Sequence, residues 1–321
     1  VNDPPWSAIT AALADRGISG LDVVAATSME ESDLAQVAAA QDDAIARGAT
    51  CVIGVGGGTA IDTAKYLSWA RGLPAVYIPT IASVDATFTD AVGIRRDRRV
   101  AYIGQVRPRE VVIDLPLITS APARLNRGGI GDILSCHTGL FDWQLAADQG
   151  RGAPWDERLA SLGRTLLDEL EAAAPDIRAA SAAGVSFLLD AYRRIGAACA
   201  AAGHSRFEEG SEHFLGYALE EATGAHYVHG ELISMCVVAM STIQGNDPAR
   251  AARIVRAAGT SAHPSALGLD QPTVLDALLG LGTYVEAEGL DDCIATLASI
   301  SEPLALSAWE AIDALPDGSA A

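Results

Sequence analysis

Lysine is almost absent from this chain of 321 residues, because Lys65 is the only one. The 22 basic side chains are otherwise arginines, and 41 acidic side chains outnumber them, so the formal net charge is −19. Proteins that bind nucleic acid or anionic membranes need clustered lysine and arginine on the surface. The composition therefore argues against both kinds of partner.

Aromatic residues, paired cysteines and long apolar runs are also scarce. Aromatic residues make up 5% of the chain, and its five cysteines show no C-x-x-C spacing. An odd number of dispersed cysteines is typical of reduced thiols in a cytoplasmic protein. We see no secretory signal peptide, and no apolar run reaches the roughly 18 residues that a membrane-spanning helix needs. The sequence begins at Val1 with what reads as the end of a strand, so we expect a further segment before it.

The first 115 residues alternate short apolar runs with helical patterns. Apolar runs occur at residues 21–26, 50–55, 75–78 and 110–114. Runs without polar alternation are typical of strands covered on both faces of a parallel sheet. Two further segments, 91–95 and 99–103, flank a polar turn and predict a β-hairpin.

Helical periodicity dominates the chain after Pro116, and no convincing strand follows. We predict one helix over residues 122–147 and six more before residue 282, with a frayed tail over residues 310–321. The predicted architecture is an α/β domain over residues 1–115 followed by an all-helical domain over residues 116–321.

A glycine-rich turn joins a predicted strand to a predicted helix at Gly54–Lys65, whose sequence is GVGGGTAIDTAK. The first turn of a helix presents free N–H groups and a positive dipole end, which bind phosphate or pyrophosphate. Glycine also allows a ligand to approach the backbone closely. The alternative is a tight strand-to-helix turn that binds nothing.

Three dispersed residues suggest a metal site. Asp132 follows several glycines, and His213 and His229 each lie near the start of a predicted helix. One carboxylate and two imidazoles suit a catalytic zinc ion with an open position, and non-haem iron uses the same ligand types. Taken singly, Asp132 reads as a capping or buried, paired acid, and each histidine as a surface residue or one whose hydrogen bonds are satisfied within the protein.

A polar loop follows the third predicted strand. Thr80, Ser83 and Asp85 lie where α/β folds bind ligands, beyond the carboxyl ends of the strands. The alternative is an ordinary polar loop in which Asp85 forms a turn.

Five stretches, in this order and spacing, resemble the glycerol dehydrogenase-like superfamily. This superfamily contains glycerol dehydrogenase, glycerol-1-phosphate dehydrogenase, iron-containing alcohol dehydrogenases and dehydroquinate synthase. The stretches are GVGGGTAIDTAK (54–65), PTIASVDA (79–86), APARLNRGGIGDILS (121–135), EEGSEHFLGYAL (208–219) and VHGELISM (228–235). PTIASVDA looks most like glycerol dehydrogenase, whereas GSEH and Asp142-Trp143 look most like glycerol-1-phosphate dehydrogenase.

The resemblance implies a dehydroquinate synthase-like fold: an NAD(P)-binding Rossmann-like domain, a helical metal- and substrate-binding domain, and a metal in the cleft between them. It also implies a homo-oligomer. By position, the metal ligands would be Asp132, His213 and His229. The cofactor-binding residues would be Asp3, Gly57, Gly58, Asp62, Thr80 and Ser83. Asp85 would contact substrate hydroxyls, and an acid at Asp3 would favour NAD over NADP.

The implied activity is metal-dependent, NAD(P)-linked oxidation of a secondary hydroxyl in a polyol or polyol phosphate of the glycerol or glycerol-1-phosphate type. Cys136 replaces a further histidine ligand of the iron alcohol dehydrogenases, which favours zinc over iron. The segment 203–209 differs from the small-residue version of the phosphate dehydrogenases, which weakens the case for a phosphate group. A cyclase or lyase of the same superfamily and a non-catalytic relative are the alternatives.

Overall fold

The computed structural model describes residues 5–17 and 29–317, and the chain divides into two compact units. The first unit comprises Val1–Ile81 and Asp90–Ala121, and the second comprises Ala82–Thr89 and Pro122–Ala321. The sequence analysis assigns NAD(P) binding to residues 1–115 and metal and substrate binding to residues 116–321. These assignments stay predictions.

The first unit is an α/β unit, as predicted. Its helices are α1 (Pro5–Asp15), α2 (Glu31–Ala46), α3 (Gly58–Arg71) and α4 (Leu115–Thr119). Its strands are β1 (Val52–Gly56), β2 (Ala75–Pro79), β3 (Ala91–Arg96), β4 (Arg99–Gln105) and β5 (Glu110–Val111). Strands β1, β2 and β5 form a parallel sheet in the order β1-β2-β5, and β3 pairs with β4 as the predicted hairpin. The predicted strand at residues 21–26 and the predicted ribose contact Asp3 lie outside the described residues.

Helix α3 packs one face on the neighbouring elements of its unit. Ile61, Ala64 and Leu67 are buried on this face, and Leu67 joins Val37 and Ala38 of α2 in a small apolar cluster. Burying such a leucine contributes about 1.5–3 kcal/mol. Gly72, in the left-handed conformation, ends the helix by donating its N–H to Ser68.

The described residues of the second unit form helices joined by loops, with a 3₁₀ turn at Asp85–Thr87 and no strand. Its helices are α5 (Ala123–Gly128), α6 (Gly131–Leu134), α7 (Cys136–Asp148), α8 (Glu157–Arg178), α9 (Ala182–Ala202), α10 (Ser211–Thr223), α11 (His229–Gln244), α12 (Pro248–Ala258), α13 (Pro264–Leu267), α14 (Gln271–Glu288), α15 (Ile294–Leu297) and α16 (Glu302–Asp313). Among the described residues of the whole chain, no helix is long and apolar enough to cross a membrane.

Helix α11 is the central element of this unit. All of its residues except His229 and Thr242 are buried. A helix that is apolar on every side must be surrounded by others, and α6, α7, α10, α12 and α16 pack against it. Its first residue is His229, so the core of the unit fixes the position of this imidazole.

Two details of the helical prediction are wrong. The single helix predicted over residues 122–147 is divided into α5, α6 and α7, because the chain bends at Gly129 and again at Ser135. The tail predicted from residue 310 is helical up to Asp313, because Ala305, Ala308 and Ile312 pack one face of α16 into the core.

Two adjacent leucines on α14 provide a matched test of this core. Leu278 is fully buried, whereas Leu279 is 46% exposed. We expect Leu278→Ala to cost about 2–5 kcal/mol, through lost burial and the cavity that remains. Leu279→Ala should cost less than about 1 kcal/mol. The shift in the urea midpoint, followed by circular dichroism, measures both, and equal shifts would contradict the packing of α14.

Candidate functional site

Three predicted side chains from three helices meet in the second unit. Asp132 comes from α6, His213 from α10 and His229 from α11. Asp132 Oδ1 lies 3.3 Å from His229 Nε2 and 4.0 Å from His213 Nε2. One ligand atom from each residue lies within 4.8 Å of those of the other two. The fold therefore brings Asp132 close to two histidines that lie far from it in the sequence.

Glycine allows α6 and the start of α11 to approach this closely. A Cβ atom on Gly131 would lie 2.5 Å from the Cα of Gly230. A Cβ atom on Gly230 would lie 1.8 Å from the carbonyl oxygen of Gly128. Real Cβ atoms do not come so near, so a larger residue would separate the two helices. Each helix carries one member of the cluster directly beside its glycine: Asp132 after Gly131, and His229 before Gly230.

The segment 82–89 is fastened to this part of the second unit by hydrogen bonds. The backbone N–H of Ala82 donates to Asn126 Oδ1 (2.9 Å), and the Tyr192 hydroxyl donates to the carbonyl oxygens of Ala82 and Gly129. The backbone N–H of Asp85 donates to Asp132 Oδ2 at 2.8 Å. The predicted catalytic residue Asp85 is thus bound through its backbone to the predicted ligand Asp132.

His213 is oriented by the residue before it. Its Nδ1 lies 2.9 Å from Glu212 Oε1, and Glu212 is fully buried. A carboxylate that accepts from Nδ1–H fixes the ring and makes Nε2 the nitrogen available to a metal. Asp142 fixes the start of the same helix by accepting the Ser211 N–H at 2.8 Å. Burial and the neighbouring Glu212 raise the pKa of Asp142 to about 6.

The electrostatics of the cluster suit a cation. Burial opposes ionisation of Asp132, yet the imidazoles of His229 and His213 and the Asp85 N–H hold its pKa below the ordinary value. Burial by itself would lower the pKa of His213, but the bond to Glu212 and the nearby carboxylates raise it to about 9. A metal ion bound there would displace the proton of His213, so metal affinity falls as the pH falls.

The surroundings of the Asp132 carboxylate show whether a metal ion fits this cluster. Its Oδ1 atom is buried, and among the described residues only the His229 imidazole comes close, with Nε2 at 3.3 Å. A buried carboxylate oxygen without a good partner is costly. Ligand atoms on a tetrahedral zinc ion lie about 3.3 Å apart, close to the Asp132–His229 distance and shorter than the 4.0 Å to His213. A small shift of His213 would complete such a site, so these residues fit a divalent metal.

The glycine turn in the first unit runs from β1 into α3, as predicted. Gly57 precedes the helix in an extended conformation, and α3 begins at Gly58. A Cβ atom on Gly54, Gly56 or Gly57 would lie 2.6 Å from a side-chain carbon of Ala64, Ala60 or Ile81, respectively. Packing inside the unit therefore already requires glycine at these positions. The free N–H groups of the first turn of α3 remain the feature that suits a pyrophosphate.

The predicted cofactor residues are distributed over both units. Gly57, Gly58, Asp62 and Thr80 belong to the first unit, and Ser83 belongs to the second. The Thr80 N–H donates to the carbonyl oxygen of Gly56 at 2.9 Å.

Lys65 has a structural role. Its side chain is buried, and its Nζ atom lies 3.4 Å from Asp62 Oδ1. The two residues therefore form an ion pair within α3. A P-loop lysine, in contrast, reaches the phosphates of its ligand.

Several supporting residues were missed by the sequence reasoning. Asn126, Tyr192 and Glu212 hold the segment 82–89 and His213 in place, and Arg124 forms a bidentate ion pair with the buried Glu231 near the start of α11. Only Glu212 offered a local signal, because it lies beside a candidate histidine ligand. The partners of the others are 44 to 110 residues away in the sequence.

Solved structures with the same fold define the class of protein. A probable glycerol dehydrogenase from Sinorhizobium meliloti matches with a TM-score of 0.70 and 25% identity, over 96% of this chain and 88% of that one. Glycerol dehydrogenase from Schizosaccharomyces pombe matches with a TM-score of 0.70 and 18% identity, over 96% and 79%. The fold is that of the iron-containing alcohol dehydrogenases and glycerol dehydrogenases.

The sequence comparisons narrow this class to a family. The model of the iron-containing alcohol dehydrogenase family matches residues 3–122. Glycerol-1-phosphate dehydrogenase [NAD(P)+] from Sulfolobus acidocaldarius is 31% identical over 254 residues, which are 78% of this chain and 71% of that protein. The enzyme of the same name from Methanosphaerula palustris is 32% identical over 72% of this chain, which spans 64% of that relative's length.

The chain belongs to the glycerol dehydrogenase and glycerol-1-phosphate dehydrogenase-like family of iron-containing alcohol dehydrogenases. The relatives reported above are named as NAD(P)-dependent dehydrogenases. Membership supports NAD(P) and a metal ion as cofactors, and it leaves zinc and iron both open.

Removing either imidazole tests the metal cluster. We expect His213→Ala and His229→Ala each to lower the bound metal well below one ion per chain, because two remaining ligands hold a divalent ion poorly. Metal analysis by mass spectrometry after dialysis measures this. His226→Ala, which removes an exposed histidine from the loop before α11, is the control and should retain its metal. Full metal content in both ligand variants would show that the assignment is wrong.

Glu212 offers a second test, directed at the orientation of His213. We expect Glu212→Ala to weaken metal binding by about 10- to 100-fold, because the imidazole loses the carboxylate that orients it. Glu212→Gln should have a smaller effect, since its amide oxygen still accepts from Nδ1–H. Competition with a fluorescent chelator measures the affinity. Glu302→Ala on the exposed side of α16 is the control, and an affinity equal to wild type in Glu212→Ala would refute the role.

Proposed function

We propose that the protein is a metal-dependent, NAD(P)-linked dehydrogenase that oxidises a secondary hydroxyl of a polyol or polyol phosphate. One observation carries the proposal: the buried Asp132 Oδ1, which accepts no hydrogen bond, faces two imidazoles. Relatives named glycerol-1-phosphate dehydrogenase and a structural neighbour named glycerol dehydrogenase support this reaction type.

The metal would be held by Asp132, His213 and His229, and we propose zinc rather than iron. Cys136 stands four residues after Asp132, where a fourth protein ligand would lie on the following turn. Its thiol is fully buried, and burial with the nearby carboxylates raises its pKa well above the ordinary value. Cys136 is not among the side chains whose ligand atoms converge in the cluster, so three protein ligands remain, which is the number typical of catalytic zinc.

The dinucleotide would lie with its pyrophosphate at the start of α3, against the backbone of Gly57 and Gly58. Asp62, Thr80 and Ser83 would support the cofactor, in keeping with their positions in the family motifs. We propose NAD over NADP, because an acid at Asp3 would repel a 2′-phosphate.

The overall reaction converts a secondary alcohol and NAD(P)⁺ into a ketone, NAD(P)H and one proton. When bound, the metal supplies Lewis acidity that lowers the pKa of the substrate hydroxyl, and NAD(P)⁺ accepts the hydride from its carbon. Asp85 would accept a hydrogen bond from a second substrate hydroxyl and pass the released proton to water. The bond from its backbone N–H to Asp132 holds the backbone of Asp85 next to the cluster.

A homo-oligomer in the cytoplasm is the state we propose for the enzyme. The dispersed free cysteines support the reducing compartment, since the described residues contain five free thiols and no disulfide. The family resemblance supports the oligomer. A cyclase or lyase that uses NAD without net redox change is disfavoured, because Lys65 is the only lysine and it is buried in an ion pair.

The activity is tested with the metal-loaded protein, NAD⁺ and a panel of diols, polyols and their phosphates. We expect NADH to form with a subset of the panel and expect excess chelator to abolish its formation. Absorbance at the NADH band measures turnover, and NADH fluorescence measures binding of the cofactor on its own. Restoration of activity by zinc, but not by calcium, is the control for removal of the metal.

Each possible failure has a distinct meaning. Turnover of a phosphorylated substrate without accumulation of NADH would indicate the cyclase or lyase. Failure to bind both the metal and the dinucleotide would indicate a non-catalytic relative. Chelator-resistant oxidation would contradict the metal-dependent mechanism.

A further inference from the structure

The two oxygens of the Asp132 carboxylate have different surroundings. Oδ2 accepts the backbone N–H of Asp85 at 2.8 Å, whereas Oδ1 lies 3.3 Å from His229 Nε2 and 4.0 Å from His213 Nε2. A hydrogen bond to one oxygen of a ligating carboxylate orients the other oxygen. The position of the Asp85 backbone therefore decides how Asp132 presents Oδ1 to a metal ion.

One tyrosine hydroxyl joins the two chain segments that meet at this bond. Tyr192 Oη is hydrogen-bonded to the carbonyl oxygen of Gly129 and lies 3.2 Å from that of Ala82. A phenolic hydroxyl has a single proton, so the two carbonyl oxygens share it. Gly129 is three residues before Asp132, and Ala82 is three residues before Asp85. The hydroxyl at one end and the bond from Asp85 to Asp132 at the other therefore close a ring of two short chain segments.

Asn126 supports the same ring from α5. Its Oδ1 accepts the Ala82 N–H at 2.9 Å, and its carbonyl oxygen accepts the Gly129 N–H at 3.1 Å. A Cβ atom on Gly129 would lie 2.0 Å from the carbonyl oxygen of Ala82, so the two segments are in direct backbone contact. The N–H and the carbonyl oxygen of Ala82 are thus both bound by buried side chains, since Asn126 and Tyr192 are each 1% exposed.

Helix α9 holds both ends of the segment 82–89. Tyr192 binds Ala82 at its start, and Gly196 lies one turn later on the same helix. A Cβ atom on Gly196 would lie 2.1 Å from the carbonyl oxygen of Phe88, near the end of the segment. Helix α9 itself carries none of the predicted site residues. Its influence on the site therefore passes through the backbone that it holds.

We propose that Tyr192 is a positioning residue of the metal site: its hydroxyl fixes the segment 82–89 and, through it, the carboxylate of Asp132. The Asp85 N–H then holds Oδ2, and Oδ1 faces the two imidazoles. This inference rests on the proposed metal-dependent function and adds a residue that touches neither the metal nor the substrate. Because the backbone of Asp85 belongs to the same ring, one hydroxyl positions both the metal ligand and the proposed substrate contact.

Tyr192→Phe tests this role, because it removes the hydroxyl and keeps the aromatic ring that packs in the core. We expect the variant to bind Zn²⁺ about 3- to 10-fold more weakly, which is the effect of one lost hydrogen bond. Competition with a fluorescent chelator measures the affinity of the folded protein. Co²⁺ in place of Zn²⁺ supplies a second readout, because its visible absorption depends on the geometry of the ligands, and we expect this spectrum to change.

A purely structural tyrosine would stabilise the fold without changing the metal affinity of the folded protein. Ile254→Val is the control for such a loss, because it removes one carbon atom from a buried side chain of α12, a helix without predicted site residues. It should lower the urea midpoint and leave the Zn²⁺ affinity and the Co²⁺ spectrum as in the wild type.

Asn126→Ala provides a second route to the same test, because it removes the acceptor of the Ala82 N–H. We expect it to weaken Zn²⁺ binding in the same direction as Tyr192→Phe. Both changes release the same backbone, so their effects should not be independent. The double variant should therefore bind Zn²⁺ less weakly than the product of the two single effects requires.

The outcomes separate this inference from the function on which it rests. Wild-type Zn²⁺ affinity and Co²⁺ spectrum in Tyr192→Phe would overturn the inference and leave the dehydrogenase intact. Equal weakening of Zn²⁺ binding in Ile254→Val would also overturn it, since the effect would then be one of general stability. Absence of NADH with the whole polyol panel, in a wild-type protein that binds Zn²⁺, would overturn the dehydrogenase, while the two metal readouts would still decide the role of Tyr192.

Discussion

Backbone contacts that only glycine permits hold the metal cluster together. Gly131 and Gly230 lie so close that neither has room for a Cβ atom, and Gly230 also presses on the carbonyl oxygen of Gly128. Asp132 and His229 are the immediate chain neighbours of these glycines, so their separation depends directly on the contact. The ion pair of Glu231 with Arg124 joins α11 to α5, and the bond from the Asp85 N–H to Asp132 joins the segment 82–89 to α6.

Negative charge is the second organising property of this unit. Asp132, Asp142, Glu208 and Glu212 are all buried, and each has to be stabilised by hydrogen bonds, imidazoles or a bound cation. Backbone N–H groups satisfy Asp142, and His213 satisfies one oxygen of Glu212. Asp132 Oδ1 and Glu212 Oε2 are buried and accept no hydrogen bond from the described residues. A cation bound beside Asp132 Oδ1 would offset the cost of burying this oxygen.

Much of the architecture could be predicted from the sequence, because it depends on local patterns. Apolar runs without polar alternation identified β1 and β2, and the polar turn between β3 and β4 identified the hairpin. The residues of the metal cluster came from recognised motifs, and their role as ligands stays a prediction that the geometry supports.

The features that the sequence analysis did not predict depend on tertiary contacts. The helix predicted over residues 122–147 is broken where Gly129 packs against the carbonyl oxygen of Ala82, a contact between distant segments. Helical periodicity carries no information about such contacts. In the same way, the hydrogen bonds of Asn126 and Tyr192 to Ala82 join residues 44 and 110 positions apart.

The two glycine contacts make the metal site sensitive to residues that are not part of it. Any side chain at residue 131 or 230 would displace a helix, and with it Asp132 or His229. A mutation that adds one carbon atom at either glycine would therefore act on the metal site without replacing any residue of the cluster.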